Sequence, residues 1–517
     1  MINPWLVAPL VALAAFMEVL DISIANVSLQ HIAGDLSAGQ DESTWVLTSY
    51  LVTNAIVLPM SGWLSETMGR QRFFLACIVG FTISSLACGL APTLGSLIVF
   101  RAIQGLTGGG LQPVSQAILT DTFPPRQRGM AFAIYGMAVV FAPAIGPTLG
   151  GWITDQVSWR WVFLLNVPVG IVLSILVSAV IRDPEAFTRM REEKAKRGRK
   201  LDLLGFLLLS AGLGLLQVVL DKGEEADWFA SPMILAMTIL SVVSLIAFVI
   251  WELGETDPVV DLHLLADRNF AMANLLMFAL GFILLGSTVL LPAMVQRLFG
   301  YTATLAGMVL TPGGLSIILV MPLVGKLVSK VDPRHLIAAG LTLCALALFR
   351  TGTFNLETDY GSFVWARIYM AFGLSLLFIP INTTAFRTVA PDKSSAASSL
   401  VNVSRNLGGS FGISLVVAWL SRSAQEHQTI LAGHATPANP AFRQWLEHLT
   451  GYFQLHGGSG ADRRALAEIY GVIQRQAMMQ AFIDDFRILG CIFLAVIPLV
   501  YLMRRAAPQA GGPPATH

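Results

Sequence analysis

The chain has 517 residues, of which 55% are hydrophobic and only 13% are charged, and its formal net charge is +1. Soluble proteins keep about a quarter of their residues charged, so this composition excludes an ordinary soluble enzyme and predicts a membrane protein. The four cysteines lie in apolar stretches, without a C-x-x-C pair or a histidine at metal-ligand spacing. We therefore expect no metal site and no cofactor.

Fourteen apolar stretches are long enough to cross roughly 30 Å of hydrocarbon. Their limits are 9–32, 45–65, 73–92, 94–120, 130–154, 162–181, 201–221, 232–252, 270–295, 303–328, 335–353, 363–388, 397–421 and 481–503. They lack the alternation of barrel strands, and backbone groups in lipid must be satisfied within a segment, so we predict helices. The alternative is a large soluble helical core, which the low charge disfavours.

The first predicted span carries two carboxylates, Glu18 and Asp21, and no basic residue precedes it. It is therefore expected to remain in the mature chain rather than to be a cleaved signal peptide. An ionised carboxylate near the middle of a span is costly without a partner, so Asp21 is a candidate to load and release a proton. Glu18 lies one helical turn away and is a second candidate. Alternatively, Asp21 only accepts hydrogen bonds from neighbouring helices.

The loop after the second predicted span combines glycines with arginines. Gly62 and Gly69 permit close helix approach and a tight turn. Arg70 and Arg72 can pair with an acidic side chain and with carbonyls at a helix C-terminus, and Glu66 adds a carboxylate. We interpret this loop as a gate latch, although the arginines also serve to fix the topology.

Arg101 lies inside the fourth span, where a guanidinium needs an anion or several carbonyls, and Gln104 follows one turn later. The alternative role is an interhelical hydrogen-bond hub. The fifth span contains residues that remove backbone hydrogen bonds or permit close packing, namely Pro143, Gly146, Pro147, Gly150 and Gly151. This composition predicts a bending, tightly packed helix.

Motifs recur between the two ends of the chain. Gly325 repeats the Gly62 pattern after a second span, and Arg367 opens a glycine-rich span as Arg101 does. This recurrence predicts two parallel halves with a substrate site between them near the membrane midplane. In the second half, Arg367 and Arg405, with Asn402 beside the latter, serve either the packing or an anionic substrate.

The predicted divisions are a six-helix half over 1–181, a basic linker over 182–200, two extra spans with a loop over 201–269, a six-helix half over 270–504 and a tail over 505–517. Acidic residues dilute the linker, so a solvated connection is favoured over a lipid or nucleic-acid patch. The extra spans contain few polar residues and are expected at the periphery. The long segment 422–480 contains two amphipathic helical stretches.

Lysine and arginine set the orientation. The loops around Arg70, Arg126, Lys326 and Arg387, together with the 182–200 linker, are basic, and the short loops on the other side are acidic. The positive-inside rule therefore predicts that both termini are cytoplasmic and that 422–480 is periplasmic.

Together these motifs resemble the major facilitator superfamily, and within it the fourteen-span drug:proton antiporters of the EmrB/QacA group. The resemblance rests on the first-span stretch 20–27, which includes Asn26, on the 62–72 loop, on Arg101 with Gln104, and on the stretch 142–151. This chain departs from the family at Glu66, where Asp is usual.

The resemblance implies an all-helical polytopic membrane protein with the major facilitator fold and fourteen transmembrane helices. It also implies that Arg101 takes part in a proton relay and that Asn26 and Gln104 line the pathway. The expected function is proton-coupled efflux of lipophilic drugs from the bacterial inner membrane. The partners that it implies are protons, membrane lipids, a periplasmic adaptor and an outer-membrane channel, and no nucleic acid.

The energy source follows from the motifs that the sequence lacks. No G-x-x-x-x-G-K-[ST] loop, H-E-x-x-H or G-x-S-x-G motif occurs, so neither ATP hydrolysis nor an enzyme is expected. Transport must then use an ion gradient. The alternatives are a dedicated exporter or importer of one metabolite, such as a fatty acid or siderophore, and a receptor on a transporter scaffold. Intramembrane charges disfavour the receptor, because idle charges in a membrane are costly.

Overall fold

The computed structural model describes residues 3–183, 188, 202–457 and 460–504, and all regular elements in this part of the chain are helices. All of the 505–517 tail and most of the 182–200 linker lie outside the described residues. The helices of the first half are α1 (Pro4–Asp35), α2 (Gln40–Ser43), α3 (Trp45–Met68), α4 (Arg70–Gly89), α5 (Leu94–Gly108), α6 (Leu111–Thr122), α7 (Pro125–Gln156), α8 (Arg160–Leu164) and α9 (Asn166–Val180).

Two helices then form a hairpin, and seven more complete the described chain. They are α10 (Leu203–Lys222), α11 (Pro232–Glu252), α12 (Arg268–Phe299), α13 (Ala303–Leu327), α14 (Pro333–Thr351), α15 (Tyr360–Ala385), α16 (Ser394–His434), α17 (Pro440–Gly457) and α18 (Ala461–Tyr501). Short 3₁₀ turns lie at Trp228–Ala230, Leu262–Ala266 and Pro391–Lys393.

Every predicted span falls on one helix or on two consecutive helices. Among the described residues, ten helices are long and apolar enough to cross a membrane, so the total of fourteen spans stays a prediction. The predicted span 94–120 is divided between α5 and α6. Gly109 and Gly110 separate the two helices, although both residues keep right-handed helical angles. The span 162–181 is likewise divided, at Leu165.

Helix α7 belongs to the first half and lies at the interface between the halves. It packs on α1 of its own half and on α13 of the second. Glycine makes the second contact possible: a side-chain carbon on Gly129 of α7 would lie 2.6 Å from the Gly325 carbonyl oxygen of α13. On another side of the bundle, α16 packs on both α3 and α6. These two seams join the halves and bring polar side chains from both into the interior.

The α10–α11 hairpin was expected at the periphery. Helix α11 has many large apolar side chains on its outer surface, as that prediction implies. Helix α10, however, packs on α3 of the first half, and its Gln217 accepts a hydrogen bond of 2.9 Å from Ser410 of α16. The hairpin therefore contacts both halves at the α3–α16 seam.

The predicted long segment 422–480 is largely helical. Helix α16 runs on to His434, α17 occupies the middle, and α18 begins at Ala461. Both stretches predicted to be amphipathic helices are helical. Large apolar side chains remain exposed here, including Trp445, Tyr452 and Leu455 of α17.

Candidate functional site

A carboxylate and a guanidinium meet in the interior of the first half. Asp21 of α1 is 1% exposed and Arg101 of α5 is fully buried, and Arg101 Nη1 donates to Asp21 Oδ2 over 2.5 Å. The packing of α1 and α5 brings the two side chains together although they lie 80 positions apart in the chain. The sequence predicted each side chain as a candidate, and the structure places them in direct contact.

Three neutral side chains surround this pair. Asp21 Oδ1 accepts hydrogen bonds from Gln104 Nε2 at 3.1 Å and from Asn166 Nδ2 at 2.8 Å. Ser85 Oγ accepts from both of the same amides at 3.1 Å. Gln104 was predicted at this site, whereas Ser85 and Asn166 were not. The signal for Asn166 was available, because an amide at the start of an apolar span needs a polar partner.

Arg101 has other acceptors besides Asp21. Its Nε donates to the Val46 carbonyl at 3.1 Å and its Nη1 also donates to Gln104 Oε1 at 2.7 Å. Its Cζ lies 4.4 Å from the centre of the Tyr50 ring and 5.4 Å from that of Phe163. Aromatic faces and carbonyls stabilise a cation. A proton could therefore neutralise Asp21 without leaving the guanidinium wholly unsupported.

Glu18 lies outside this hydrogen-bonded group, although it was predicted on the same helical face as Asp21. Asn54 Nδ2 donates to its Oε1 at 3.1 Å, and the Gln112 side chain lies beside it. Its Oε2 is buried and accepts no hydrogen bond within the described part of the chain. Glu18 thus faces α3 and α6, towards the second half.

Two predicted residues of the second half meet the first half here. Arg405 of α16 donates to Gln112 Oε1, and Asn402 Nδ2 donates to Gln116 Oε1 at 2.9 Å. Arg405 Nη1 is buried and has no hydrogen-bond partner among the described residues. The sequence did not single out Gln112 or Gln116, since amides in an apolar helix do not reveal which helix they face.

Arg367 is buried in the second half without a carboxylate. Its Nη2 donates to Thr288 Oγ1 of α12 at 3.2 Å, and no ion pair to it occurs in the described ranges. Asn26, predicted to line the pathway, has an exposed side chain on α1, and no hydrogen bond joins it to Asp21 within the same residues. The structure therefore brings neither residue into the Asp21 group.

A second charged cluster, which we call the latch cluster, comprises Arg70, Asp121, Ser394 and Ser395. Arg70 forms an ion pair with Asp121 of α6, and it donates to Ser395 Oγ and Ser394 Oγ of α16, each at 2.9 Å. Ser394 Oγ also donates to Asp121 at 3.0 Å. The predicted acidic partner of the arginine thus exists, but the sequence did not identify it as Asp121.

Glycine geometry explains how the latch cluster forms. Gly69 has a φ of 94°, a left-handed value that favours glycine, and it turns the chain from α3 into α4. A side-chain carbon on Gly62 would lie 3.0 Å from the Ala396 Cα, so α3 and α16 come into backbone contact there. Glu66 is half-buried, and Arg72 points outward with its side chain exposed.

The predicted proline and glycine residues of α7 lie where that helix contacts both halves. Gly146 and Gly150 face Ser23 and Ile24 of α1, and Gly151 faces Thr304 of α13. Pro143 and Pro147 lie within the helix without ending it, and the Pro143 carbonyl is 3.5 Å from Ser23 Oγ. The close packing predicted for this stretch is present, and it extends to both neighbours.

Comparison with known proteins agrees with this architecture. The family description "Major Facilitator Superfamily" matches residues 11–413. The multidrug export protein EmrB of Escherichia coli is 35% identical over 98% of this chain and 96% of its own length. The fatty acid resistance protein FarB of Neisseria gonorrhoeae is 36% identical over 97% of this chain and 96% of its own.

Among solved structures, the proton:xylose symporter XylE aligns with a TM-score of 0.61 at 13% identity, covering 97% of this chain and 96% of that one, which supports the fold. The predicted resemblance is confirmed, and since the family consists of transporters, so is the prediction that the chain is not an enzyme. The chain belongs to the major facilitator superfamily of multi-pass membrane transporters, in the Emr-type group.

Proposed function

We propose that this chain exports lipophilic compounds across the bacterial inner membrane in exchange for protons, by alternating access. The observation that carries the proposal is the fully buried contact between Asp21 and Arg101. A buried ion pair is costly to form and contributes little to stability, so a chain that retains one inside an apolar bundle has a use for it. Exchange of a proton at Asp21 is the use that this chemistry offers.

The coupling follows from the charge of the pair. With Asp21 ionised, the pair is neutral and compact, and Gln104 and Asn166 hold the carboxylate. When a proton neutralises Asp21, the guanidinium loses its counter-charge, and its remaining neutral acceptors stabilise it less well. The packing around α1 and α5 then favours a different arrangement, which links proton binding to a conformational change.

Sidedness is part of the same proposal. We place the latch cluster at the cytoplasmic end, with both termini cytoplasmic and fourteen transmembrane helices. The contacts of Arg70 and Gly62 with α16 would then close the cytoplasmic entrance, so this conformation would face outward. Alternating access would require these contacts to break.

The relatives support the substrate class. EmrB is named for multidrug export and FarB for fatty acid resistance, and both match nearly the full chain. We propose lipophilic drugs or toxic compounds as substrates. A dedicated carrier of one metabolite, such as a fatty acid, is the second candidate, and the likeness to FarB favours it.

The proposal is tested in vesicles that contain the purified protein under an imposed pH gradient. Lipophilic acids and cations are screened for gradient-dependent uptake, with wild type, Asp21→Asn and Asp155→Asn compared at equal protein content. Asp155 is a matched control, because its carboxylate is about half exposed and lies 3.6 Å from His31 near the other end of the bundle. Gradient-driven transport that survives unchanged in Asp21→Asn would contradict the proposed coupling.

We also propose that the chain is the permease of a tripartite system and that the segment 422–480 helps to dock a periplasmic adaptor. Exposed Trp445, Tyr452 and Leu455 on α17 support a contact surface there. Deletion of Pro440–Gly457 should abolish co-purification with a co-expressed periplasmic adaptor protein, while transport in vesicles remains. Unchanged co-purification would rule out this docking role.

A further inference from the structure

A row of polar contacts runs along the interface between α6 and α16, and we call it the α6–α16 polar seam. It pairs Gln112 with Arg405, Gln116 with Asn402 and Asp121 with Ser394, in antiparallel order. One end of the seam is the latch cluster, where Arg70 joins Asp121 and Ser394. The other end reaches Glu18, because Gln112 lies beside that carboxyl.

We infer that Gln112 is a positioning residue that transmits the protonation state of Glu18 to the α6–α16 polar seam and so to the latch cluster. The inference rests on the proposed function, since it gives Glu18 a distinct task within proton-driven transport. It goes further by assigning a role to Gln112, and it separates that role from the Asp21 pair.

The orientation of the Gln112 amide follows from the donor and acceptor inventory. A guanidinium can only donate, so the amide oxygen must face Arg405, as the observed contact has it. The amide nitrogen is then available to Glu18, whose carboxyl accepts through one oxygen in either protonation state. Gln112 thus lies between an acid of the first half and a cation of the second, and it is hydrogen-bonded to the cation.

Two orphaned atoms show that this arrangement is poised rather than complete. Glu18 Oε2 and Arg405 Nη1 are both buried, and neither has a hydrogen-bond partner among the described residues. Glu18 is 1% exposed and Arg405 is 7% exposed, so water does not easily replace the missing partners. The Gln112 amide therefore has an unsatisfied acceptor on one side and an unsatisfied donor on the other. This makes the contact between Gln112 and Arg405 sensitive to the charge of Glu18.

The sign of the effect follows from electrostatics. While Glu18 is ionised, its charge partly compensates the guanidinium of Arg405 through the intervening amide. A proton on Glu18 removes that compensation and leaves a buried cation, which weakens the seam. The seam joins the two halves, so its weakening favours opening at the latch end. Under the proposed sidedness, a proton bound from outside would thereby open the cytoplasmic entrance.

Other titratable groups surround Glu18 and must be considered in any measurement of pH dependence. They are Asp21 on the same helix, Tyr50 of α3, Cys77 of α4, Tyr135 of α7 and Arg405 of α16. The two tyrosines and the cysteine are neutral near physiological pH in the ordinary case. Asp21 is already paired with Arg101, which leaves Arg405 as the charge that responds to Glu18.

The test follows the separation of the two halves in the full chain, at the end of the bundle where the latch cluster lies. Spin labels are attached at Gln127→Cys of the first half and Lys330→Cys of the second, both at exposed positions. The exposed Cys491 is replaced by Ser so that it takes no label. The distance distribution between the two labels is recorded by pulsed electron paramagnetic resonance in lipid nanodiscs, once in mildly alkaline and once in mildly acidic buffer.

Wild type should shift to longer distances in acid, with a change in the open-to-closed ratio on the order of tenfold. Glu18→Gln should be open at both pH values, and Gln112→Leu should lose the acid response. Gln116→Leu is the matched control, because it breaks the next pair without touching Glu18. It should favour opening at every pH while retaining the acid response.

The double variant Glu18→Gln with Gln112→Leu should show no additional loss of acid response beyond either single change. Gln112→Leu with a full acid response, or additive effects in the double variant, would overturn the inference. If Gln112→Leu does not fold, Gln112→Glu replaces it, and its added carboxylate should hold the seam closed in acid. A full acid opening of that variant would overturn the inference equally.

Failure of the proposed function would look different. Wild-type vesicles without gradient-driven transport would contradict proton coupling, whereas the distance measurement reports on Gln112 whether or not a substrate is known. Gradient-driven transport together with an unaltered acid response in Gln112→Leu would contradict this inference alone.

Discussion

The sequence predicts that Arg101 and Arg367 occupy corresponding positions in the two halves, and the structure gives them different partners. In the first half, Arg101 is paired with Asp21 over 2.5 Å. In the second half, the one hydrogen bond of the Arg367 guanidinium among the described residues goes to the Thr288 hydroxyl, at 3.2 Å. Thr288 lies on α12, which opens the second half as α1 opens the first. This arginine therefore pairs with a carboxylate in one half and contacts a hydroxyl in the other.

In the second half, α12 and α16 approach each other closely through glycines. Gly281 of α12 faces the Arg405 carbonyl of α16, and Gly408 and Gly412 of α16 face the carbonyls of Phe278 and Phe282. Small residues let membrane helices approach closely enough for dispersion forces to hold them. The two halves thus differ in the partner of this arginine, and the α12–α16 contact of the second half depends on small residues.

The largest effect is expected from a variant that breaks the Asp21–Arg101 pair of the first half. Arg101→Gln should destabilise the protein by about 3–5 kcal/mol, because it leaves a buried carboxylate without its partner. The double variant Asp21→Asn with Arg101→Gln should recover most of this loss but not gradient-driven transport. Thermal unfolding in detergent and vesicle transport measure the two quantities. A double variant no more stable than Arg101→Gln would show that the pair is not an isolated unit.

The corresponding change in the second half should be milder. Arg367→Gln removes one hydrogen bond from a charged group, worth about 1.5–3 kcal/mol, and leaves no buried carboxylate behind. Gradient-driven transport should persist in this variant, in contrast to Arg101→Gln. If both variants lose proton coupling equally, the asymmetry between the halves has no functional meaning.

The packing of the second half can be tested on α16 alone. Gly412→Ala places a methyl group against the Phe282 carbonyl of α12, which should cost about 1–3 kcal/mol through overpacking. Gly433→Ala, near the end of the same helix, meets nothing within 4 Å and should be neutral or slightly stabilising. Equal unfolding temperatures of the two variants would contradict the role of close approach.

The smallest effect concerns a surface ion pair that contrasts with the buried one. Lys393 Nζ lies 2.6 Å from Asp261, and this hydrogen bond raises the pKa of Lys393. A raised folded-state pKa gives stability that is present below the unfolded pKa and is lost as pH rises through the folded value. Because the pair is partly exposed, Lys393→Gln should cost less than about 1 kcal/mol.

The difference in the free energy of unfolding between wild type and Lys393→Gln should vanish in strongly alkaline buffer, because the lysine then loses its charge. Unfolding followed as a function of pH checks this expectation. A difference that grows with alkalinity would mean that the lysine charge destabilises the fold instead.

Much of the architecture could be predicted from the sequence because lipid imposes simple rules. Apolar length located the long apolar helices, and helical periodicity located the amphipathic stretches now seen in α17 and α18. The cost of intramembrane charge singled out Asp21, Glu18 and Arg101 before any contact was known. The division of the fourth span at Gly109 and Gly110 was missed, since glycine in an apolar stretch is equally compatible with a straight helix.

Partners across the fold were much harder to predict. Asp121 lies at the end of α6 and Asn166 at the start of α9, and neither position reveals that it contacts Arg70 or Asp21. Arg72 was grouped with Arg70 by sequence, yet its side chain is exposed, because residues two positions apart on a helix point to different sides of α4. Asn26 shares a motif with Asp21, but it lies on a different face of α1, where its side chain is exposed while that of Asp21 is buried.

By itself, then, the sequence determined the class of protein, the approximate helices and the costly charges, since these depend on composition and on local spacing along the chain. Only the tertiary structure decided which side chains meet: Arg101 contacts Asp21, Arg367 contacts Thr288, and Arg405 contacts Gln112. These contacts depend on the rotation and depth of helices packed from distant parts of the chain, which local patterns do not encode.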